Sequence, residues 1–299
     1  MAIITPALLT SLRTGFSKTF ADALAAAPSD WEKIATRVPS AGASNTYGWL
    51  SQFPALKEWV GDRAVKDMAA SAYQVQNKLF EATVGVKRTD IEDDTVGVYA
   101  PLFAEMGRAA GTHPDKLVVD LLADGETATG YDGAAFFGEH DIFPKIDGTG
   151  TAAKVSNLAA GREAAWYLLD TSRALKPLFF QERTKPELET LTSTQDEGVF
   201  MRDEYRYGIR YRCNAGFGFW QMAFKSKQEL NEVNFNAAVQ AMMGMKADGG
   251  RPMGIRPTVL LVPPALRAQA LTLIKAQTIE GTSNPNYDAV EVVVSPWLA

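Results

Sequence analysis

SNTYGWLSQFPALKEWVGDRAVKDMAASAYQVQNKLFEATVGVKRTDIEDD, residues 44–94, decides how the chain is read. Tyr47, Trp49, Phe53 and Trp59 crowd aromatic rings into a segment with few aliphatic neighbours to bury them. Residues 46–50 and 73–88 read as strands. In the second, Phe80, Ala82, Val84 and Val86 share one face, while Glu81, Thr83 and Lys87 point the other way. The connection between them, 53–70, carries turn signals at Pro54 and Gly61-Asp62 around a short helical piece. It is longer than connections inside compact domains usually are, which marks it as an interaction element. An arm that carries rings without a core of its own must bury them elsewhere, on this chain or on a neighbouring copy.

Outward from this stretch, the composition permits a sizeable core. The chain has 299 residues, 46% hydrophobic and 22% charged, with a mean hydropathy of -0.12. This excludes wholesale disorder and fits one large domain or two smaller ones. Net charge is -5 and the isoelectric point about 5.3, which disfavours sequence-specific binding to nucleic-acid phosphates. Cys213 is the single cysteine, so no intrachain disulfide can form, and a reducing cytoplasm is the expected compartment. No signal peptide and no membrane span are read.

Before the arm, residues 5–27 carry apolar residues at three- and four-residue spacing behind Thr5 and Pro6, which predicts a helix. Residues 29–38 read as a short helix or an extended lead in which Trp31 and Ile34 need a surface. Residues 39–44 form a joint. After the arm, residues 95–124 give the strongest helical signal, with Tyr99, Leu102, Phe103, Met106 and Ala110 in one stripe. Gly111-Thr112-His113-Pro114 predicts a break there, with a capping box from Thr112 to Asp115. Residues 125–161 read as a long loop with a short hairpin. Residues 165–183 and 199–225 read as extended blocks, with 184–198 polar and exposed between them. The last seventy residues read as a compact α/β unit. It holds a Met-rich helix over 231–245, a buried strand over 258–262, a helix opened by Pro263-Pro264 and a closing strand over 290–294.

Catalytic chemistry finds no foothold. His113 and His140 are the only histidines, and no metal-ligand spacing accompanies them. His113 is expected to act locally at a helix start, and His140 is read as a loop residue. No nucleophile elbow, phosphate loop or dinucleotide loop occurs. Asp147-Gly148-Thr149-Gly150 reads as a turn, Cys213 as a packed side chain and Met242, Met243 and Met245 as core. Glu92-Asp93-Asp94 is expected to set negative charge at the N-terminus of the long helix. No cofactor and no metal are expected, and an enzyme is not.

The chain resembles the Mu-like bacteriophage and prophage major head subunit family, the gpT family. The resemblance rests on SNTYGWL (44–50), FPALKEWVGDR (53–63), FEATVGVKRTDIEDD (80–94), YAPLFAEMGRAA (99–110), YDGAAFF (131–137), LLDTSRALKPLFFQER (168–183) and GFGFWQMA (216–223), in the same order. It departs at His140-Asp141, where the family pattern has a His-Pro-like step.

The resemblance implies an α+β fold of the Hong-Kong-97 capsid type. An N-terminal arm would span 1–43 and an extended hairpin, the E-loop, 44–88. A peripheral domain would span 89–227, with its spine helix in 95–124 and long strands in 165–225, and an axial domain 228–299. It implies a structural subunit that forms hexamers and pentamers in an icosahedral virion shell around double-stranded DNA, assembled in the bacterial host cytoplasm. The partners would be copies of itself, a separate scaffolding protein, a portal and decoration proteins. Tyr47, Trp49, Phe53, Trp59 and Arg63 would be intersubunit contacts. Lys57 and Lys66 lie in the right loop for a Lys–Asn cross-link, but the other members of that chemistry have no match. A same-fold nanocompartment shell stays open as an alternative, as does a hydrolase using carboxylates of the 125–161 loop.

Overall fold

The computed structural model describes residues 4–48, 73–93, 96–145, 150–193, 196–279 and 281–299. Helix α1 (Pro6–Ala26) starts where Thr5 and Pro6 predict it: the Thr5 hydroxyl accepts the Leu8 amide. Both readings of 29–38 are realised. A one-turn helix α2 (Trp31–Ile34) runs directly into strand β1 (Ala35–Pro39), and Trp31 and Ile34 are buried. Strands β2 (Ser44–Thr46) and β3 (Gln74–Gln76) pair antiparallel, Ser44 opposite Gln76. Strand β4 (Lys78–Lys87) follows with the expected alternation, and α3 (Arg88–Glu92) closes it.

The long helix α4 (Ala100–Ala123) runs through the expected break without interruption. Gly107 and Gly111 serve a different purpose from breaking it. They lie where α1 crosses, and a Cβ at either would press on α1, at Phe20 and Ala23 from Gly107 and at Leu24 and Ala27 from Gly111. Pro114 removes one amide, yet the helix continues because both halves bury apolar faces, Phe103 and Met106 before it, Val118 and Leu122 after it. Tertiary burial outweighs the local cost. Asp115 does not close a capping box within α4. Its carboxylate caps α2 instead, accepting from Ser29 Oγ at 2.6 Å and from the amides of Asp30 and Trp31 at 2.8 and 2.9 Å. The acidic run is also reassigned. Glu92 ends α3 and pairs with Arg88 at 3.1 Å, several residues ahead of α4.

Strands β5 (Glu139–Ile142) and β6 (Ala153–Ser156) form the short hairpin expected in the 125–161 region. Then come β7 (Leu158–Ala159), β8 (Trp166–Leu169) and the long β9 (Leu178–Leu191). Helix α5 (Glu197–Arg202) links β9 to β10 (Glu204–Phe217). Most of the segment 184–198 is therefore strand rather than loop. Strand β11 (Ala223–Ser226), helix α6 (Glu232–Met243), strand β12 (Val259–Val262), helix α7 (Arg267–Lys275), the β13 (Thr278–Ile279) and β14 (Thr282–Ser283) pair and β15 (Glu291–Val294) complete the chain.

Two sheets organise these elements. A four-stranded sheet has the order β1-β9-β10-β4, with β10 antiparallel to both neighbours. Strands β9 and β10 have 14 residues each, about 48 Å at 3.4 Å per residue. Helices α1 and α4 cover one face. There Phe16 stacks on Phe103 at 4.1 Å between ring centres, and both meet the edge of Tyr207 at 5.3 Å. A five-stranded sheet has the order β15-β12-β8-β11-β7. It draws strands from 158–169 and 223–226 as well as from 259–294, so the sheet crosses the boundary drawn at 227/228 from sequence. Met242 and Met245 are core as expected, but Met243 is exposed, because it lies on the outer side of α6.

Candidate functional site

The root of the aromatic stretch is fixed by polar side chains around the buried Gln181. Gln181, on β9, donates from Nε2 to the Val75 carbonyl at 3.2 Å and to Asn77 Oδ1 at 2.8 Å. Asn77 donates to Ser40 Oγ and to the Gly42 carbonyl. Asn214 holds the Gln76 carbonyl at 2.7 Å, and Tyr73 Oη accepts the Phe217 amide at 2.9 Å. Buried polar groups satisfied in this way fix one geometry, since any other arrangement would strand them without partners.

Tyr47 belongs to this root. It is 4% exposed, its hydroxyl donates to Gln181 Oε1 at 2.7 Å and its ring tilts against Phe179. Trp49, Phe53, Trp59 and Arg63 lie outside the described residues, as do Lys57 and Lys66 and the turn at 147–149.

The remaining candidates for chemistry resolve into packing. His140 is not a loop residue: it lies in β5, 1% exposed. Its Nδ1 meets Asp132 at 2.6 Å, Nε2 faces the Phe136 carbonyl and the ring stacks on Trp220 at 3.8 Å. His113 does not sit at a helix start but packs inside α4 against Phe80 and Tyr211. Cys213 is fully buried, and burial pushes its thiol up to about 12. Among the described residues no cluster of His, Cys, Asp and Glu could hold a metal ion, and no helix is long and apolar enough to cross a membrane.

What the chain does present is surface. On the face of the four-stranded sheet away from α1 and α4, β10 carries Arg206, Arg210 and Arg212. Glu81 on β4 and Glu187 on β9 both stand opposite Arg210. Leu79 and Leu191 are exposed on the same face. At the far end of the β9–β10 pair, Leu191, Val199, Met201, Arg202 and Glu204 line a cleft of about 340 Å³. Met201 is 69% exposed, and Val233 on α6 is 75% exposed. Isolated exposed apolar side chains are ordinary, but side chains this large at the extremities of long elements suit contacts with other chains. Sequence reasoning missed the hairpin end because 184–198 was read only as polar and exposed between the two extended blocks. The alternation Leu188, Thr190 against Glu187, Glu189 was the available signal.

The Mu-like prophage major head subunit gpT family matches residues 9–298. The chain belongs to this family. As a head subunit it is a structural capsid protein and not an enzyme. It is similar to the major capsid protein of Escherichia phage Mu, 45% identical over 304 residues, covering 99% of this chain and 100% of the relative. It is similar to a chain of the procapsid of bacteriophage JBD30, with a TM-score of 0.87 and 58% identity, covering 98% of this chain and 100% of that one. It is also similar to a chain of the JBD30 capsid decorated with minor capsid protein trimers, with a TM-score of 0.74 and 42% identity over the whole of both. The fold is therefore of the Hong-Kong-97 capsid type. The head subunit's arginine row, its hairpin end and the fixed root of the aromatic stretch are the candidate assembly surfaces.

Proposed function

We propose that copies of this head subunit close into an icosahedral shell of hexamers and pentamers that encloses double-stranded DNA, built in the bacterial host cytoplasm. The observation that carries the reading is the match over nearly the whole chain, in sequence to a major capsid protein and in structure to a procapsid chain. A separate scaffolding protein and a portal are partners in this reading. Decoration proteins are too, by analogy with the decorated JBD30 capsid.

Within the subunit, residues 1–43 serve as arm, 44–88 as E-loop and α4 as spine helix. The long strands β9 and β10 belong to the peripheral domain, and the five-stranded sheet forms the core of the axial domain. Trp49, Phe53, Trp59 and Arg63 serve as contacts with an adjacent subunit; large flat rings and guanidinium groups suit that role. The higher similarity to the procapsid chain than to the decorated capsid chain supports reading this conformation as the one before maturation.

The acidic net charge of -5 suits a wall that confines DNA without gripping it. The test is to treat purified particles with nuclease and then extract them. Protected double-stranded DNA is expected. Particles that hold only cargo protein would favour the nanocompartment reading.

A further inference from the structure

The C-terminus of α4 meets the five-stranded sheet at a buried cation. Lys225, on β11, is 5% exposed. Its Nζ donates to the carbonyl of Ala123, the last residue of α4, at 3.1 Å, and pairs with Glu126 Oε1 at 2.8 Å. The same ammonium lies 5.5 Å from the ring centre of Tyr167 and 5.8 Å from that of Phe137. Two residues along, Lys227 pairs with Glu126 Oε2 at 2.8 Å. Glu126 sits in the turn that leaves α4, so one carboxylate joins the helix end to two positions beside the sheet. Hydrogen bonds from Lys225 and Lys227 hold its carboxyl below the ordinary range.

A cation at a helix C-terminus is favoured by the helix dipole, and ring faces attract it further. Removing an ammonium from water is nonetheless costly, and a buried ion pair often contributes no more stability than an apolar replacement of the same size. What such a group supplies is geometry. Lys225 is satisfied only when the helix end, the carboxylate and the strand meet in one arrangement.

We propose that the Glu126–Lys225–Lys227 cluster fixes the angle between the spine helix and the five-stranded sheet, and through it the curvature at which subunits close. The inference rests on the shell-subunit reading. In a shell of repeated contacts, a small error in the shape of one subunit recurs at every copy. Lys225 is a positioning residue here, and its removal changes shape before it changes stability.

The test uses the full-length chain, assembled with the other head proteins of its phage, with unaltered chain as reference. If the reference gave no heads, the shell reading itself would fall, whatever the variants did. Lys225→Met subunits are expected to fold, since Glu126 is 30% exposed and keeps Lys227 at 2.8 Å. Their particles are expected to lose the single diameter of the reference and to include open sheets. Lys225→Arg is expected to restore one diameter. Lys225→Met particles of reference diameter would overturn the proposal. A Lys225→Met subunit that failed to fold would overturn it too, since the cluster would then be a stability element. So would Lys225→Arg particles as irregular as those of Lys225→Met.

Discussion

At position 113 the chain sets an imidazole against the rings of Phe80 and Tyr211 and leaves its buried Nε2 without a partner. Burial lowers the pKa of this histidine below its ordinary 6.5; nearby Lys116 lowers it further, and Asp120 opposes. The folded chain therefore binds fewer protons here than the unfolded chain does, and stability rises with pH. The contribution is intact above 6.5, erodes as pH falls through 6.5 and is fully lost once pH lies below the folded pKa. Denaturant midpoints measured across this range should fall on acidification, and His113→Leu should flatten the slope. An unchanged slope in the variant would contradict the assignment. Nothing local in Gly-Thr-His-Pro announces this placement. Local rules saw a helix start, whereas the deciding contacts come from strands tens to about a hundred residues away. Asp115 is the same lesson from the other side. A capping residue was legible at that position, but the helix it caps begins 84 residues earlier, at Trp31.

Among the elements, α1 was legible in length and face and α4 in face but not in continuity, because their apolar residues recur at helical spacing while Gly111 to Pro114 read as a break. The purpose of the glycines was not, because a glycine at a helix crossing looks in sequence like a glycine at a helix end. The two cases separate by substitution. Gly107→Ala forces a methyl group onto the Phe20 carbonyl and should destabilise the subunit by about 1–3 kcal/mol, as overpacking does. At Gly15, on the same helix pair, a Cβ meets nothing, so Gly15→Ala should be neutral or stabilise by up to about 1 kcal/mol through helix propensity. Chemical denaturation of both variants checks the contrast, and equal effects would contradict the close-packing account. Strand β9 was underestimated because its outer half alternates charged residues with Leu188 and Thr190, which resembles a polar loop until β10 lies beside it. The root of the aromatic stretch was partly legible. The strands were visible, but the Gln181 and Asn77 network that holds them joins residues more than 100 positions apart.

For the whole molecule, composition disfavoured sequence-specific binding to nucleic acid and offered no apolar run long enough for a membrane-spanning helix. The order of motifs pointed to the family that the comparisons then showed. The contacts between copies were the least legible, since a surface made for a neighbour has no partner in the single chain to reveal it. Tyr47, expected as a contact, also packs on its own Phe179 and donates to Gln181 in the single chain. The central claim is that this chain is made to close with copies of itself. Electron microscopy of particles purified from cells that produce the full-length chain with the other head proteins of its phage tests that most directly. The account predicts closed icosahedral shells in which this chain is the most abundant protein. A chain that stays monomeric under those conditions, with no shells or capsomers on the grid, would contradict it.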